Sequence, residues 1–575
     1  MTVYNTEIAA LLNRLADLLE IEGDNPFRIR AYRNAARLIN ELPRELNTMI
    51  HQGEDLTMLP GIGTALAEKI TTLVKTGKLP PLETLEKRTP SALSILLTIE
   101  GLGPKRVKIL HQKLHIKNLE DLKVAIAHGK VSTLKGFGEK TEKLILNGIQ
   151  RINRSGQRIT WMEAEKIALP LLAFLKKIPG VKKAEIAGSF RRRKETVGDL
   201  DILIVANQGV AIINAFVKYE GVAHIVSQGI TRSTVHLHSG IQVDLRVVPQ
   251  VSYGAALHYF TGSKSHNIAL RHMAIKQHLK VNEYGIFKGT RRIAGKTETE
   301  FYKVFHLPYI EPELRENRGE IEAALKNKLP KLITLDDIRG DLHCHTTETD
   351  GQYSLEDMVK AAKKQGYDYL AITDHSKHLT VAHGLDKKRL LQQMKFIDKL
   401  NAQLTGIQIL KGIEVDILDS GQLDLPNTIL KELDLTVCSI HYKFNLSRKK
   451  QTERILRAMD NPYFTILAHP TTRLIGRRNP IEIDLERIME AAKIRGCMLE
   501  INAQPERMDL DDVQCKMAKE IGVKFVISTD THSIHHFDHM RFGVDIARRG
   551  WLEKKEVINT YNLKDLKKIL RGGKF

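Results

Sequence analysis

The chain has 575 residues, of which 42% are hydrophobic and 27% charged, enough for about three to five domains of roughly 100–200 residues with ordinary cores. No apolar run approaches the roughly 20 residues that span a bilayer, Met1 to Glu20 carry acidic residues in place of a basic-then-apolar leader, and Cys344, Cys438, Cys497 and Cys515 form no C-x-x-C pair; this excludes a membrane span, an exported disulfide scaffold and a zinc ribbon, and a cytoplasmic protein is expected. The formal net charge of +20 suggests a polyanionic partner. Residues 331–575 hold 39 Lys+Arg against 35 Asp+Glu, which leaves 49 against 33 for residues 1–330, so the excess sits in front.

Residues 1–150 read as helical, with Leu, Ala and Ile at helical spacing and few β-branched runs. One unit recurs three times. Leu59-Pro60-Gly61-Ile62-Gly63-Thr64 leads into a helix holding Ala67, Glu68 and Lys69. The same shape returns in Ile99-Glu100-Gly101-Leu102-Gly103-Pro104-Lys105 and in Leu134-Lys135-Gly136-Phe137-Gly138-Glu139-Lys140. The glycines permit a tight hairpin and a close backbone approach. The free N–H groups and positive dipole end of the next helix suit a phosphate. One Gly-x-Gly is usually only a turn; three with matched flanks in a basic region point to a grip on the DNA backbone.

Residues 160–310 change character, with strand-like runs at Ala184 to Gly188, Asp201 to Ala206 and Val243 to Val248 among helical stretches, so a mixed α/β domain is expected. On a strand, Asp199 and Asp201 point to one face. Two carboxylates held together repel unless a cation sits between them. Asp244, in a second strand of similar pattern, adds a third, and three converging carboxylates make an oxygen-rich site for paired magnesium ions. Gly188-Ser189, ten residues upstream, supplies a backbone turn suited to a triphosphate. An isolated D-x-D is usually a pair of exposed strand-end aspartates; the combination favours chemistry.

Residues 311–338 are polar and charged, hold Pro312 and Pro330, and read as a linker with some helix. From Asp341 onward short apolar strands alternate with amphipathic helices: Tyr369–Thr373, Gln408–Ile413, Leu435–Ser439, Thr465–Ala468, Met498–Ile501 and Lys524–Ser528. The alternation predicts an α/β barrel-like domain with its chemistry at the carboxyl ends of the strands. That rim would collect His343, His345, Asp350, His375, Glu414, His441, His469, Asp530 and His532. Imidazoles mixed with carboxylates suit zinc, manganese or iron, and the count exceeds the needs of one ion, so two or three are expected. Asp374 reads as a partner that orients a ligand, and Glu500 and Arg507 as residues near the site without assigned roles.

These segments resemble known families. The Gly-x-Gly units are similar to the helix-hairpin-helix motif, which holds DNA without reading sequence. Gly188-Ser189-Phe190-Arg191-Arg192, Gly198-Asp199-Leu200-Asp201, Asp244 and Tyr259-Phe260-Thr261-Gly262-Ser263 resemble the nucleotidyltransferase palm and nucleotide site of family X DNA polymerases, the family of DNA polymerase beta. The resemblance implies template-directed gap filling on gapped or primer-template DNA from deoxynucleoside triphosphates, with Asp199, Asp201 and Asp244 catalytic on two Mg or Mn ions. It further implies nucleotide contacts from Gly188, Ser189, Arg192 (the triphosphate arginine), Tyr259, Phe260, Gly262, Asn267 and Arg271. Lys264 departs from the acidic residue of the animal enzyme, and a cation there is expected to tighten triphosphate binding. In front, Tyr32 and Lys69 match a tyrosine and a lysine of the amino-terminal domain. That lysine forms a Schiff base in the animal enzyme, but Ala65 and Pro81 replace basic residues nearby, so Lys69 is read either as a lyase nucleophile or as a phosphate contact. The order and spacing of the nine rim residues resemble the PHP (polymerase and histidinol phosphatase) family, which implies a distorted seven-stranded barrel with three metals.

The expected layout is multidomain. It comprises a helical DNA-binding region (1–90), a helix-hairpin-helix subdomain (91–155), an α+β palm (156–250), a nucleotide-selecting thumb-like subdomain (251–315), a linker (316–338) and the PHP phosphoesterase domain (339–575), in a monomer. The second activity is expected to be a 3′–5′ exonuclease, with 3′-end trimming and cutting at abasic sites as companions, in base-excision repair. A small-molecule phosphatase or a structural scaffold beside an active polymerase are the alternatives for the last domain, and a non-catalytic DNA-binding scaffold for the whole chain.

Overall fold

A computed structural model describes residues 5–40, 42, 44–99, 102–138, 141–142, 145–146, 149 and 158–570. It divides the chain into two units, residues 1–157 and 158–575.

In the first unit, apolar residues at helical spacing decide the packing. Helix Asn5–Glu22 buries Ile8, Leu12, Leu15 and Leu19 on one stripe, and helix Pro26–Asn40 buries Ile29, Tyr32, Ala36 and Ile39. The hairpins hang from this core by their middle residues: Ile62, Leu102 and Phe137 are buried while Gly61, Gly63, Gly103, Gly136 and Gly138 lie exposed. Gly61 and Gly136 take φ of 84° and 92°, the left-handed region that favours glycine. Gly63 caps helix Thr64–Thr76 and Gly103 caps helix Pro104–Leu114. Gly101, Glu139 and Lys140 lie outside the described residues.

The second unit begins with a five-stranded sheet in the order Lys183–Ile186, Asp199–Val205, Gln242–Val248, Arg232–Leu237, Val222–Gln228. The Asp199–Val205 and Gln242–Val248 strands are parallel neighbours. Covered on both sides, the first of them buries every residue from Ile202 to Val205, which is why it reads as a continuous apolar run. Sequence patterning misses the last two strands for physical reasons. Val222–Gln228 is an exposed edge, and Arg232–Leu237 buries only Ser233, Val235 and Leu237 in alternation. Helices Tyr253–Thr261 and Lys264–Lys276 and a three-stranded meander over Lys280–Ala294 follow.

Residues 316–338, expected as a linker, carry charges that are paired rather than solvated. Glu316 and Glu320 are buried, Arg318 Nη1 lies 2.9 Å from Asp512 Oδ2, and Arg548 Nη1 donates to the Ile333 carbonyl at 2.9 Å.

The last part is a barrel of parallel strands. Gly340–Asp341, Tyr369–Ile372 and Gln408–Lys411 form one sheet; Glu414–Asp416, Val437–Ser439, Ile466–Leu467, Met498–Asn502 and Phe525–Ser528 form another. Bridges His375↔Glu414 and Cys344↔Thr531 join the two sheets on both sides. Only Gly412-Ile413 separates Gln408–Lys411 from Glu414–Asp416, so the barrel has seven strands with one broken. A side chain at 412 would collide with Thr373, which accounts for the glycine at the break. The four cysteines are free and buried, and burial pushes their thiols up, Cys497 to about 12. Among the described residues no helix is long and apolar enough to cross a membrane.

Candidate active sites

The first site stands on the five-stranded sheet. Register pairs Asp201 with Asp244 across the parallel strands, and Asp199 lies two residues ahead of Asp201 at the exposed end. Asp244 is held by the Gln242 amide at 2.7 Å and by the Thr234 hydroxyl. Burial, then the charges of Asp199 and Asp244, push the Asp201 carboxyl up to about 7. Burial and Asp244 also raise Asp199, against the opposing pull of Arg158 and Arg192. Gly188, at φ 61°, presses on this group: a Cβ there would collide with the Asp201 carboxylate. The Ser189 hydroxyl beside it is buried without a hydrogen-bond partner. Three carboxylates that resist joint ionisation, next to an unpartnered buried hydroxyl, fit divalent cations and a phosphate.

Arg192 donates from Nε to Glu316 Oε1 and from Nη1 to the Thr261 carbonyl, both at 2.8 Å. Its neighbour Arg191 pairs with Glu298 at 2.7 Å, and Glu298 also meets Arg315. Tyr259 and Phe260 meet edge to face at 5.0 Å, with Arg271 over Tyr259 and Arg246 over Phe260. The Asn267 amide donates to the carbonyls of Tyr259 (2.7 Å) and Gly262 (3.2 Å). Its Oδ1 is buried without a partner and so near Gly262 that a Cβ there would stand 2.8 Å away. Lys264 is exposed in the first turn of its helix. In the first unit, Lys69 donates to the Ala65 carbonyl of its own helix at 2.9 Å, and Tyr32 is part of the core.

The second site lies at the carboxyl ends of the barrel strands, and the structure brings all nine expected rim residues together there. Glu414, 2% exposed, has an oxygen within 3.4 Å of five imidazoles: His343 (3.3 Å), His345 (3.4 Å), His375 (2.9 Å), His441 (3.2 Å) and His469 (3.1 Å). Asp530 lies 3.2 Å from His345 and 3.5 Å from His343. Asp350 lies 3.4 Å from both His375 and His532. Their ligand atoms form three overlapping groups: His345, Asp350, His375 and His532; His343, His345 and Asp530; His375, Glu414 and His441. Burial pushes the Glu414 carboxyl up, but His375, His441 and His343 outweigh it and hold it well below the usual range. His469 and Asp530 sit at φ of 26° and 49°, backbone that strains a non-glycine residue.

A direct test of metal fit is whether buried nitrogens go unused. His343 Nε2, both ring nitrogens of His345, His375 Nδ1 and His469 Nδ1 are buried with no hydrogen-bond partner among the described residues. An unsatisfied buried nitrogen costs free energy unless something ligates it, and imidazoles with carboxylates suit Zn, Mn or Fe. The residues fit divalent ions.

Outer contacts hold this set in place. His343 Nδ1 is 2.7 Å from Glu500 Oε1, whose other oxygen accepts the His469 N–H at 2.7 Å. His441 Nδ1 is 3.0 Å from Asp416. Sequence reading passed over Asp416, although Glu414-Val415-Asp416 carries the same one-residue alternation that drew attention to Asp199 and Asp201. Asp374 departs from its expected role: it accepts hydrogen bonds from Thr346, Thr349 and Gln393, so it fixes the loop between His345 and Asp350 rather than a ligand ring. Arg507 comes within 3.7 Å of Asp530.

Comparison with known proteins agrees with both sites. Residues 158–249 match the family model of the DNA polymerase beta palm, and residues 256–316 that of its thumb. Residues 3–79 match a helix-hairpin-helix domain, 93–151 a SAM-like helix-hairpin-helix tandem, and 341–504 the PHP domain. The chain is 39% identical over 573 residues to the DNA polymerase/3′-5′ exonuclease PolX of Bacillus subtilis (strain 168), covering 99% of this chain and 100% of that one. It is 26% identical over 348 residues to DNA polymerase lambda of Arabidopsis thaliana, covering 54% of this chain and 62% of that one. A probable phosphatase of Thermoanaerobacter sp. (strain X514) is 31% identical over 233 residues, covering 38% of this chain and 89% of that one. Palm, thumb, tandem hairpins and PHP domain occur here in one chain, aligned from end to end with a bifunctional relative, and the chain belongs to the family X DNA polymerases that carry a PHP domain.

Proposed function

We propose that this protein fills short gaps in DNA during base-excision repair and trims 3′ ends at a second, hydrolytic site. The observation that carries it is the coexistence of two complete sets of metal-capable groups: Asp199, Asp201 and Asp244 on paired strands, and nine residues around Glu414. In the polymerase site, Asp199, Asp201 and Asp244 would hold two Mg or Mn ions, which lower the pKa of a 3′-hydroxyl and neutralise phosphate charge when bound. Ser189 and Arg192 would receive the triphosphate, while Tyr259, Phe260 and Gly262 would shape the sugar pocket. Asn267 and Arg271 would face the base and the template. In the PHP site, two or three Mn, Zn or Fe ions would supply hydroxide at neutral pH. Glu500 and Asp416 would keep His343 and His441 in the ligating tautomer. The hairpin glycines present helix N-termini to the DNA backbone.

The test is a primer on a gapped template with manganese, with and without deoxynucleotides. Asp199→Ala/Asp201→Ala should lose extension and keep degradation; His343→Ala/His345→Ala should do the reverse. Degradation that survives the histidine substitutions overturns the exonuclease assignment. The likeness to probable phosphatases supports a second reading, hydrolysis of small phosphate esters at the PHP site. Competition by single-stranded DNA for hydrolysis of such an ester distinguishes the two.

A further inference from the structure

We infer that Arg549, in the barrel, is a positioning residue for the polymerase site: it sets the triphosphate-binding Arg192 through the shared carboxylate of Glu316. The inference rests on the assignment of Arg192 to the incoming triphosphate. Glu316 Oε1 accepts Arg192 Nε at 2.8 Å and Arg549 Nη2 at 3.1 Å. Arg549 Nη1 also donates to the Arg192 main-chain carbonyl at 2.6 Å. One guanidinium from the barrel therefore holds both the backbone of Arg192 and the anion that grips its side chain. Asp512, which Arg318 reaches at 2.9 Å, anchors Arg549 in turn. The Arg549 side chain is 1% exposed and that of Glu316 5%, so water screens little of this.

The grip on Arg192 is directional. Glu316 takes Nε and the Thr261 carbonyl takes Nη1, while Nη2 makes no hydrogen bond to a described residue. A fork fixed at two nitrogens presents the third in one place, which lowers the ordering cost of meeting a phosphate. Without the Arg549 cation, Glu316 pairs more closely with Arg192 and competes with the triphosphate. Without the bond to its carbonyl, the turn bearing Arg192 loosens. Both effects weaken nucleotide binding and leave the metal-binding aspartates in place.

The experiment is steady-state single-nucleotide insertion by the full chain, with exonuclease activity on single-stranded DNA measured on each preparation. Arg549→Met should raise the KM for the deoxynucleotide about tenfold, with kcat and the exonuclease rate within about twofold. Glu316→Gln keeps the shape and loses the charge assistance. It should raise KM about threefold and carries the test where Arg549→Met fails to fold. Arg541→Ala breaks a separate ion pair, with Glu165 at 2.7 Å, and should leave KM unchanged. An unchanged KM in Arg549→Met, or in Glu316→Gln where it alone folds, overturns the inference if Arg192→Ala raises KM. A rise in Arg541→Ala equal to that in Arg549→Met also overturns it, since the effect is then general loosening. An unchanged KM in Arg192→Ala overturns instead the nucleotide-site reading on which the inference rests.

Discussion

At Gly188 a single hydrogen atom decides whether the polymerase site can form. Its φ of 61° and the Asp201 carboxylate against its missing Cβ leave no room for alanine. Gly188→Ala should reduce primer extension at least about a hundredfold while 3′ degradation persists, measured on one preparation with and without deoxynucleotides. Asp201 itself reports the cost of assembling the site. Its carboxyl, near 4 in an unfolded chain, is pushed up to about 7 on folding by burial and by Asp199 and Asp244. The charged form is therefore the penalised one. The penalty is absent well below pH 4, grows as pH rises, and is complete above about 7. Asp201→Asn should stabilise metal-free protein at pH 8, by on the order of 4 kcal/mol at most, and do so hardly at all near pH 4. Thermal melts in chelator at the two pH values check this, and equal shifts at both refute it.

Among the elements, hairpins and broken strands place the chemistry. In the first helix-hairpin-helix, Ile62 is the buried anchor and Gly61 the left-handed turn. Gly61→Val puts a β-branched residue in that region, which costs about 1–3 kcal/mol locally. It should weaken DNA binding about tenfold, read by fluorescence anisotropy, while extension at saturating DNA is kept. Such motifs are legible because they are local: a Gly-x-Gly, a D-x-D, a histidine behind each apolar run. The grouping of the nine rim residues was legible for the same reason, since every barrel strand delivers its residues to one end. Longer-range features were not. Nothing near Glu500 announces His343, 157 residues away, and nothing in the polar run 316–338 announces that Glu316 meets Arg549. Charge patterning reads such a run as solvated because it cannot see the partner. The two missed palm strands fail differently, since their apolar content is too low to separate them from loop.

For the whole molecule, the sheet and the barrel are joined by buried or half-buried ion pairs. Arg541 meets Glu165, Arg473 meets Glu195, Arg318 meets Asp512 and Arg548 meets Glu313. Removing one partner of a buried pair costs about 3–5 kcal/mol, because the other is left buried and uncompensated. A fragment ending at residue 338 should therefore melt at least about 10 °C below the full chain or aggregate, and an unchanged melting temperature by calorimetry would show the seam to be unimportant. The cysteines carry a practical corollary. All four thiols are buried and pushed up, so none offers a thiolate to an alkylating reagent at neutral pH. The native chain is thus already silent to maleimide dyes. A cysteine introduced on the surface of each unit would take a fluorophore there and nowhere else, and energy transfer between the two dyes could follow the units during a reaction without any native residue being replaced.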